Sequence, residues 1–242
     1  MLAQQGHLAQ MAKGYSSPEL DYLFSEGREK HFNTGDHILT EGASTDYFFD
    51  IISGTVALAR NGSNGRRQIV SFLGAKHILG AASTPGYPNL ATALTPVIAV
   101  SYPRAALEKA LYSTPGFASK FRLVMTRILE SAHDHIYTLG QRSAIERLAS
   151  FLLYLRANQA RFSVDGYIED IEIIDLPMTR LDIADFLGLT IETVSRAFSS
   201  LKKQGVIQFK DSHSCRLVRI ETIRDLGGLS DFTKQRGMAK SY

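Results

Sequence analysis

Glu192, Ser195, Arg196, Ser199 and Lys203 recur at spacings that place them on one side of an α-helix. At 100° per residue, with Glu192 at zero, Ser195 falls at about 300°, Arg196 at about 40°, Ser199 at about 340° and Lys203 at about 20°. Val194, Phe198 and Leu201 cluster on the other side, at about 180° to 240°. One face is therefore apolar and packs, while the polar face is left free. Arginine can donate two hydrogen bonds to guanine O6 and N7, and glutamate can accept one from cytosine N4. A glutamate facing phosphates is otherwise repelled, so its place on this face points to base readout. The competing reading is an ordinary solvated face, which the helix alone does not exclude.

The flanking sequence sharpens the choice. Thr179-Arg180-Leu181-Asp182 opens a helix with Ile183, Ala184 and Leu187 on one face, and Gly188 suits the left-handed cap that ends it. Thr190 can cap the next helix, which runs to about Gln204 and stops at Gly205. Two short helices joined by a glycine turn, with a small alanine where they cross, match helix-turn-helix geometry. Val206 to Lys210, a turn over Asp211 to Ser214, and Arg216 to Ile220 then read as a β-hairpin wing. From 196 to 219 the charge is basic (Arg196, Lys202, Lys203, Lys210, Arg216 and Arg219 against Asp211), whereas 165 to 185 is mostly acidic. A basic patch beside such a motif is the electrostatic footprint of a duplex reader. The expected contacts to double-stranded DNA are Thr179, Arg180, Thr190, Glu192, Thr193, Ser195, Arg196, Ser199 and Lys203.

Upstream, residues 1 to 15 read as a loose tail. Ser16-Ser17-Pro18-Glu19 caps a short helix to about Ser25. From about Arg28 to Pro103 the chain breaks into short β-runs: His37 to Thr40, Tyr47 to Ile52, Thr55 to Arg60, Arg67 to Leu73 and Val97 to Tyr102. Glycine turns separate them, as in a small antiparallel barrel or sandwich, and Ala81 to Ala93 reads as a loop or short helix. After Pro115-Gly116 a helix of about 25 residues carries an apolar stripe through Phe117, Phe121, Val124, Met125, Ile128, Leu129, Ala132, Ile136 and Leu139. Either the stripe packs wholly on its own domain, or a line near the 3.5-residue period forms a two-helix seam. The expected dimer interface is Phe117, Phe121, Val124, Met125, Ile128, Ala132, His135 and Leu139. Gly140 and Ser143 bracket a hinge. Ser143 to Glu146 caps another amphipathic helix through Leu148, Phe151, Leu152 and Leu155. Ile168 to Leu176 reads as a hairpin or strand pair.

A chain of 242 residues accommodates two modest domains, and 44% apolar with 21% charged residues is ordinary for a soluble protein. The net charge of +3 is too weak to decide anything by itself. No apolar run is long enough to span a bilayer, and the N-terminus lacks the features of a signal peptide. Cys215 stands alone, so a reducing cytoplasm is expected. In the wing it would lie near phosphate, either as a passive thiol or as a redox control point. The sequence has no Gly-rich phosphate loop, nucleophile elbow or paired metal-ligand motif. Neither an enzyme nor a metal site is expected.

Leu176-Pro177-Met178-Thr179-Arg180, Asp182-Ile183-Ala184, Leu187-Gly188-Leu189-Thr190 and Glu192-Thr193-Val194-Ser195-Arg196 closely resemble the Crp/Fnr superfamily of bacterial regulators. The Glu-x-x-Ser-Arg arrangement is similar to its Fnr and FixK branches. Ile52 to Val56 and Gly65 to Leu73 resemble the family's β-roll, and Gln141 to Ala149 its hinge. The resemblance implies an α+β protein. Its parts would be a cupin-like, cyclic-nucleotide-binding-domain-like β-roll (1–112), a dimerisation helix (113–140) and a winged helix-turn-helix (141–242). It implies a homodimer whose Glu192, Ser195 and Arg196 read half-sites resembling TTGA facing TCAA, one DNA turn or about 34 Å apart. It also implies recruitment of RNA polymerase, usually as an activator.

The departures from the family are equally specific. Cyclic-nucleotide binders in it carry Gly-Glu for the ribose and Arg-Ser or Arg-Thr for the phosphate. This chain has Gly80-Ala81-Ala82 and Leu90-Ala91-Thr92-Ala93, so no cyclic AMP binding is expected. One cysteine rules out a four-cysteine iron–sulfur sensor. No cofactor is expected, although His77, His133 and His135 are the histidines a haem-sensing relative would use. His135 in a dimer seam would make binding sensitive to pH. The alternative function is a β-roll receptor for an unidentified effector, a small molecule or haem, that switches DNA binding.

Overall fold

Strands in the N-terminal half alternate so that both sides of one sheet are apolar. Phe48, Val100 and Tyr102 join one buried cluster, while Ile51, Val97 and Ala99 join another. This is the period-two pattern of a pleated strand covered on both faces. The computed structural model describes residues 6–82, 84–160 and 172–228. Its first elements are α1 (His7–Ala12), α2 (Pro18–Ser25), β1 (Arg28–Phe32), β2 (His37–Leu39), β3 (Tyr47–Ser53) and β4 (Val56–Asn61). There follow β5 (Arg67–Leu73), β6 (Ile78–Leu79), β7 (Leu90–Ala93), β8 (Val97–Pro103), α3 (Arg104–Ser113) and α4 (Pro115–Gln141). One antiparallel sheet runs β1-β8-β3-β6 and the other β2-β7-β4-β5. Asp50 stands opposite Val100, and Leu58 opposite both Ala91 and Ser71. Leu39, Val56, Leu79 and Ala91 fill the space between the sheets, and helices α1 to α3 cover the outer face through Leu8, Leu23 and Leu107.

The chain divides into two compact units, Met1–Ala132 and His133–Tyr242, so the division falls inside α4. Phe117 is fully buried in the N-terminal core, with Phe121 and Val124 packed against it. The second unit contains α5 (Ala144–Ala160), β9 (Ile173–Asp175), α6 (Arg180–Leu187), α7 (Ile191–Lys203), β10 (Ile207–Phe209), β11 (Ser214–Leu217) and α8 (Ile220–Gly227). Here α5 is the central helix and packs on α6, α7 and α8. The three strands form an antiparallel sheet in the order β10-β11-β9. Gln159 ties β9 to α5. Its Nε2 donates to the Asp175 carbonyl and its Oε1 accepts the Asp175 N–H, both at 2.9 Å.

The α+β architecture is the expected one, and several local readings are corrected. The tail up to residue 15 contains α1, whose Leu8, Met11 and Ala12 are buried. The segment Ala81–Ala93 ends in strand β7 instead of a helix or continuous loop. Ile220 begins α8 and does not extend the wing. Of the hairpin expected over Ile168–Leu176, residues up to 171 lie outside the described residues, and Ile173–Asp175 pairs with β11.

Asp50 explains why so short a helix as α1 is held. It is fully buried on β3, and its Oδ2 accepts the Leu8 N–H at 2.8 Å. A Cβ on Gly6 would collide with that oxygen, so the chain enters the helix through glycine. Burial raises the carboxyl from 3.8 to about 6, against the lowering influence of the Leu8 and His7 amides. The folded unit thus keeps a proton that the unfolded chain has released. Its stability falls as pH rises from about 4 through about 6 and stays lower above. Asp50→Asn keeps an acceptor for Leu8 without the buried charge. We expect it to flatten that slope and to stabilise the protein at pH 8 by about 2–3 kcal/mol. Denaturant melts from pH 4 to 8 measure this, and an unaltered slope would remove Asp50 as its source.

Candidate nucleic-acid interface

Local capping fixes where α6 and α7 begin and end. Thr179 caps α6: its Oγ1 accepts the Asp182 N–H at 3.1 Å, and its own N–H donates to Asp182 Oδ2 at 2.9 Å. The Thr179 hydroxyl also donates to that oxygen at 2.6 Å, so it is committed to the cap. Gly188 ends α6 at φ 61°, a left-handed geometry that glycine adopts without strain. Arg147 holds the same corner by donating from Nη1 to the Leu187 carbonyl at 2.9 Å. Two residues later Thr190 caps α7, accepting the Thr193 N–H at 3.2 Å.

The two faces of α7 separate cleanly. Val194, Ala197, Phe198 and Leu201 are buried, and each large side chain contributes about 1.5–3 kcal/mol to holding the helix down. Glu192, Ser195, Arg196, Ser199, Lys202 and Lys203 are exposed. Glu192 is held ionised by its own amide and the Thr190 hydroxyl, with Arg196 nearby, so it can only accept hydrogen bonds. Arg196 Nη2 donates to Thr193 Oγ1 at 3.3 Å, which places Thr193 under the arginine as its rest. Ser199 Oγ donates to the Ser195 carbonyl at 2.9 Å. Ile191, which sequence analysis did not single out, is exposed beside Glu192.

Beside α7, β10 and β11 form the wing, with Phe209 opposite Cys215 and Gln208 opposite Arg216. Strand alternation sends Arg216 outward and Cys215 inward, where it is fully buried. Burial pushes its thiol up to about 11, with Arg180 opposing. Of the two readings of Cys215, burial favours the passive thiol, because a buried, protonated thiol is neither exposed nor nucleophilic. Arg180 is half-buried, with Cζ 3.6 Å from the Phe198 ring centroid and 5.2 Å from that of Phe209.

Not every residue of the expected dimer interface is free on the outer side of α4. Phe117 is wholly internal, and His135 stacks on Phe186 of the C-terminal unit with centroids 4.1 Å apart and planes at 17°. Phe117 is thus unavailable to an outer face, and one side of the His135 ring is covered. The uncovered apolar side chains of α4 include Ile128, Leu129 and Ile136, which are 45%, 56% and 66% exposed. With Met125 and Ala132 they span an arc of about 100°. The apolar stripe was broader than the seam, and its inner edge belongs to the cores.

A family model described as a Crp-like helix-turn-helix domain matches residues 146–231, and one described as a cyclic nucleotide-binding domain matches residues 29–113. The nitrogen fixation regulation protein FixK of Bradyrhizobium diazoefficiens is 35% identical over 181 residues, covering 75% of this chain and 74% of that protein. The transcriptional activator protein FnrL of Cereibacter sphaeroides is 30% identical, covering 79% and 77%. The structure of FixK2 from Bradyrhizobium japonicum superposes with a TM-score of 0.74 at 32% identity, covering 83% of this chain and 96% of that one. This chain belongs to the Crp/Fnr family, on its FixK-like branch. It is a DNA-binding transcription regulator, not an enzyme.

The β-roll of this Crp/Fnr member has an uncharged turn after β6. Between Gly80 and Ala93 there is no Asp, Glu, Lys or Arg. Ala91 and Ala93 are buried between the sheets. Arg104 has spent its donors on the chain itself: Nη2 on the Gly80 carbonyl at 2.8 Å, Nη1 on that of Ala82 at 3.3 Å, and Nε on that of Thr45. It also lies 4.5 Å from the Phe48 ring centroid. Among the described residues, no three His, Cys, Asp or Glu side chains gather where they could hold a metal.

His135 makes a pH effect testable within the C-terminal unit. Burial lowers its pKa from 6.5, against the raising influence of a hydrogen bond that the ring donates to the Phe186 backbone, and its Nε2 is buried with no partner among the described residues. The unfolded chain therefore binds a proton that the folded one resists, and stability falls as pH drops below about 6.5. We expect His135→Phe, which keeps the stack, to lose less melting temperature than the parent between pH 7 and pH 5. Equal losses in thermal melts would exclude His135 as the cause.

Proposed function

We propose that two copies of this chain join along α4 and read a palindromic TTGA…TCAA-like site through Glu192, Ser195 and Arg196, without cyclic AMP. The observation that carries this reading is the uncovered polar face of α7, bordered by a basic wing and backed by a buried apolar face. Arg196 donates to guanine, Glu192 accepts from cytosine, and Ile191 supplies an apolar contact for a thymine methyl. Thr190, Ser199, Lys203 and the wing cations position the duplex through its phosphates. Met125, Ile128, Leu129, Ala132 and Ile136 form the seam between protomers, since a palindrome requires a two-fold axis. The Arg104 clamp supports effector independence, because it closes with the chain's own side chain the turn that a nucleotide would occupy.

Bound at a promoter, the dimer recruits RNA polymerase, the role expected of a chain similar to activators such as FnrL. It works in the cytoplasm beside its DNA. No helix among the described residues is long and apolar enough to cross a membrane.

Arg196→Ala should cost about 1–3 kcal/mol on the cognate site and relax discrimination at one base pair. Lys203→Ala should weaken all sequences alike and lower the salt slope by about one per protomer. Titration of purified protein against cognate and scrambled duplexes reads both effects, and parental behaviour in both variants would contradict the assigned face. Ile136→Asp should shift the protein to a monomer in analytical ultracentrifugation and abolish tight binding. A dimer of parental affinity would move the seam elsewhere.

A further inference from the structure

Arg180, at the first position of α6, lies against aromatic rings from two other elements. Phe198 belongs to α7 and Phe209 closes β10, and their own centroids are 5.5 Å apart. At 3.6 Å from the Phe198 centroid the guanidinium carbon stands at the spacing of a face-on stack. Edge-on, a nitrogen would stand about 2.3 Å from that centroid, inside van der Waals contact. Face-on stacking leaves the in-plane N–H donors outside the stack. Among the described residues no acceptor takes those donors and no carboxylate pairs with the group. Half-buried, it keeps one side toward solvent.

The location suits an anion. Round α7, Phe198 lies about 60° from Ser195 and about 40° from Lys202, so the stacked group borders the polar face. Exposed Lys202 lies one turn beyond Phe198 on α7, and exposed Lys210 follows Phe209 directly in the chain. A held, planar, doubly donating cation flanked by lysines matches phosphate oxygens better than a base edge deep in a groove.

We propose that Phe198 and Phe209 are positioning residues that hold Arg180 as a preformed fork for a DNA backbone phosphate at the joint between recognition helix and wing. This rests on the reading that the polar face of α7 enters the groove. Stacking restricts the arginine before DNA arrives, so less conformational freedom is lost on binding. Because Phe209 belongs to the wing, the same stack ties the wing's placement to the phosphate grip. A phosphate contact carries no base preference, so the fork strengthens cognate and other duplexes alike.

The test measures affinity against salt for Phe209→Leu, Phe209→Tyr, Arg180→Ala and the double variant Arg180→Ala/Phe209→Leu, with Arg196→Ala in parallel. Phe209→Leu should weaken binding to every duplex by about fivefold per protomer with an unchanged salt slope, and Phe209→Tyr should restore it. Arg180→Ala should lower the slope by about one per protomer, and Phe209→Leu should cost nothing further in that background. If Phe209→Leu is as costly without Arg180 as with it, Phe209 is merely structural and the proposal falls. An unchanged slope in Arg180→Ala overturns it as well. Undisturbed base discrimination in Arg196→Ala would instead indict the underlying reading of α7, which separates the two failures.

Discussion

Burial of one side of α7 is the constraint on which the rest of the structure depends. Val194, Phe198 and Leu201 cannot be left in water without losing several kcal/mol, and the fold supplies α5, α6 and β10 to cover them. Once that side is fixed inward, helical periodicity leaves no freedom about what faces outward. Glu192, Arg196, Ser199 and Lys203 are presented because their neighbours are hidden. The caps at Thr179, Gly188 and Thr190 then set the angle and length of the presentation.

The same logic runs through the β-roll with a different result. Its sheet carrying β3 and β8 is buried on both faces, so each polar group inside must find a partner or a function. Asp50 finds the amide of Leu8, and Arg104 finds three carbonyls of the Gly80–Ala82 turn and the Thr45 loop. Both tie segments of the domain that are remote in sequence, and the Gly80–Ala82 turn is held by the chain's own arginine.

Legibility in the sequence followed the range of the interactions. The helix-turn-helix could be read because its periodicity, caps and glycine turn are all local, and α6, α7 and the first wing strand begin and end near the expected residues, whereas the second wing strand stops at Leu217. Helix α1 was hidden because its anchor, Asp50, is remote in sequence. Strand β1 reads Arg-Glu-Lys-His-Phe, an exposed edge with no apolar alternation, and β7 relies on two buried alanines with weak strand preference. The seam expected on α4 included Phe117, which the N-terminal core buries. An apolar stripe shared among a domain core, a second core and an outer face gives no sign of where one duty ends. Cys215 and Arg216 are adjacent, and only strand phase decides which reaches solvent.

The most direct test of the central claim is methylation interference on a duplex carrying the selected half-sites. Methyl groups at guanine N7 project into the major groove, and those at adenine N3 into the minor groove. The account predicts that N7 methylation at the half-site guanines abolishes binding while N3 methylation within the same half-sites is tolerated. Binding indifferent to N7 methylation would mean that the exposed face of α7 does not enter the major groove.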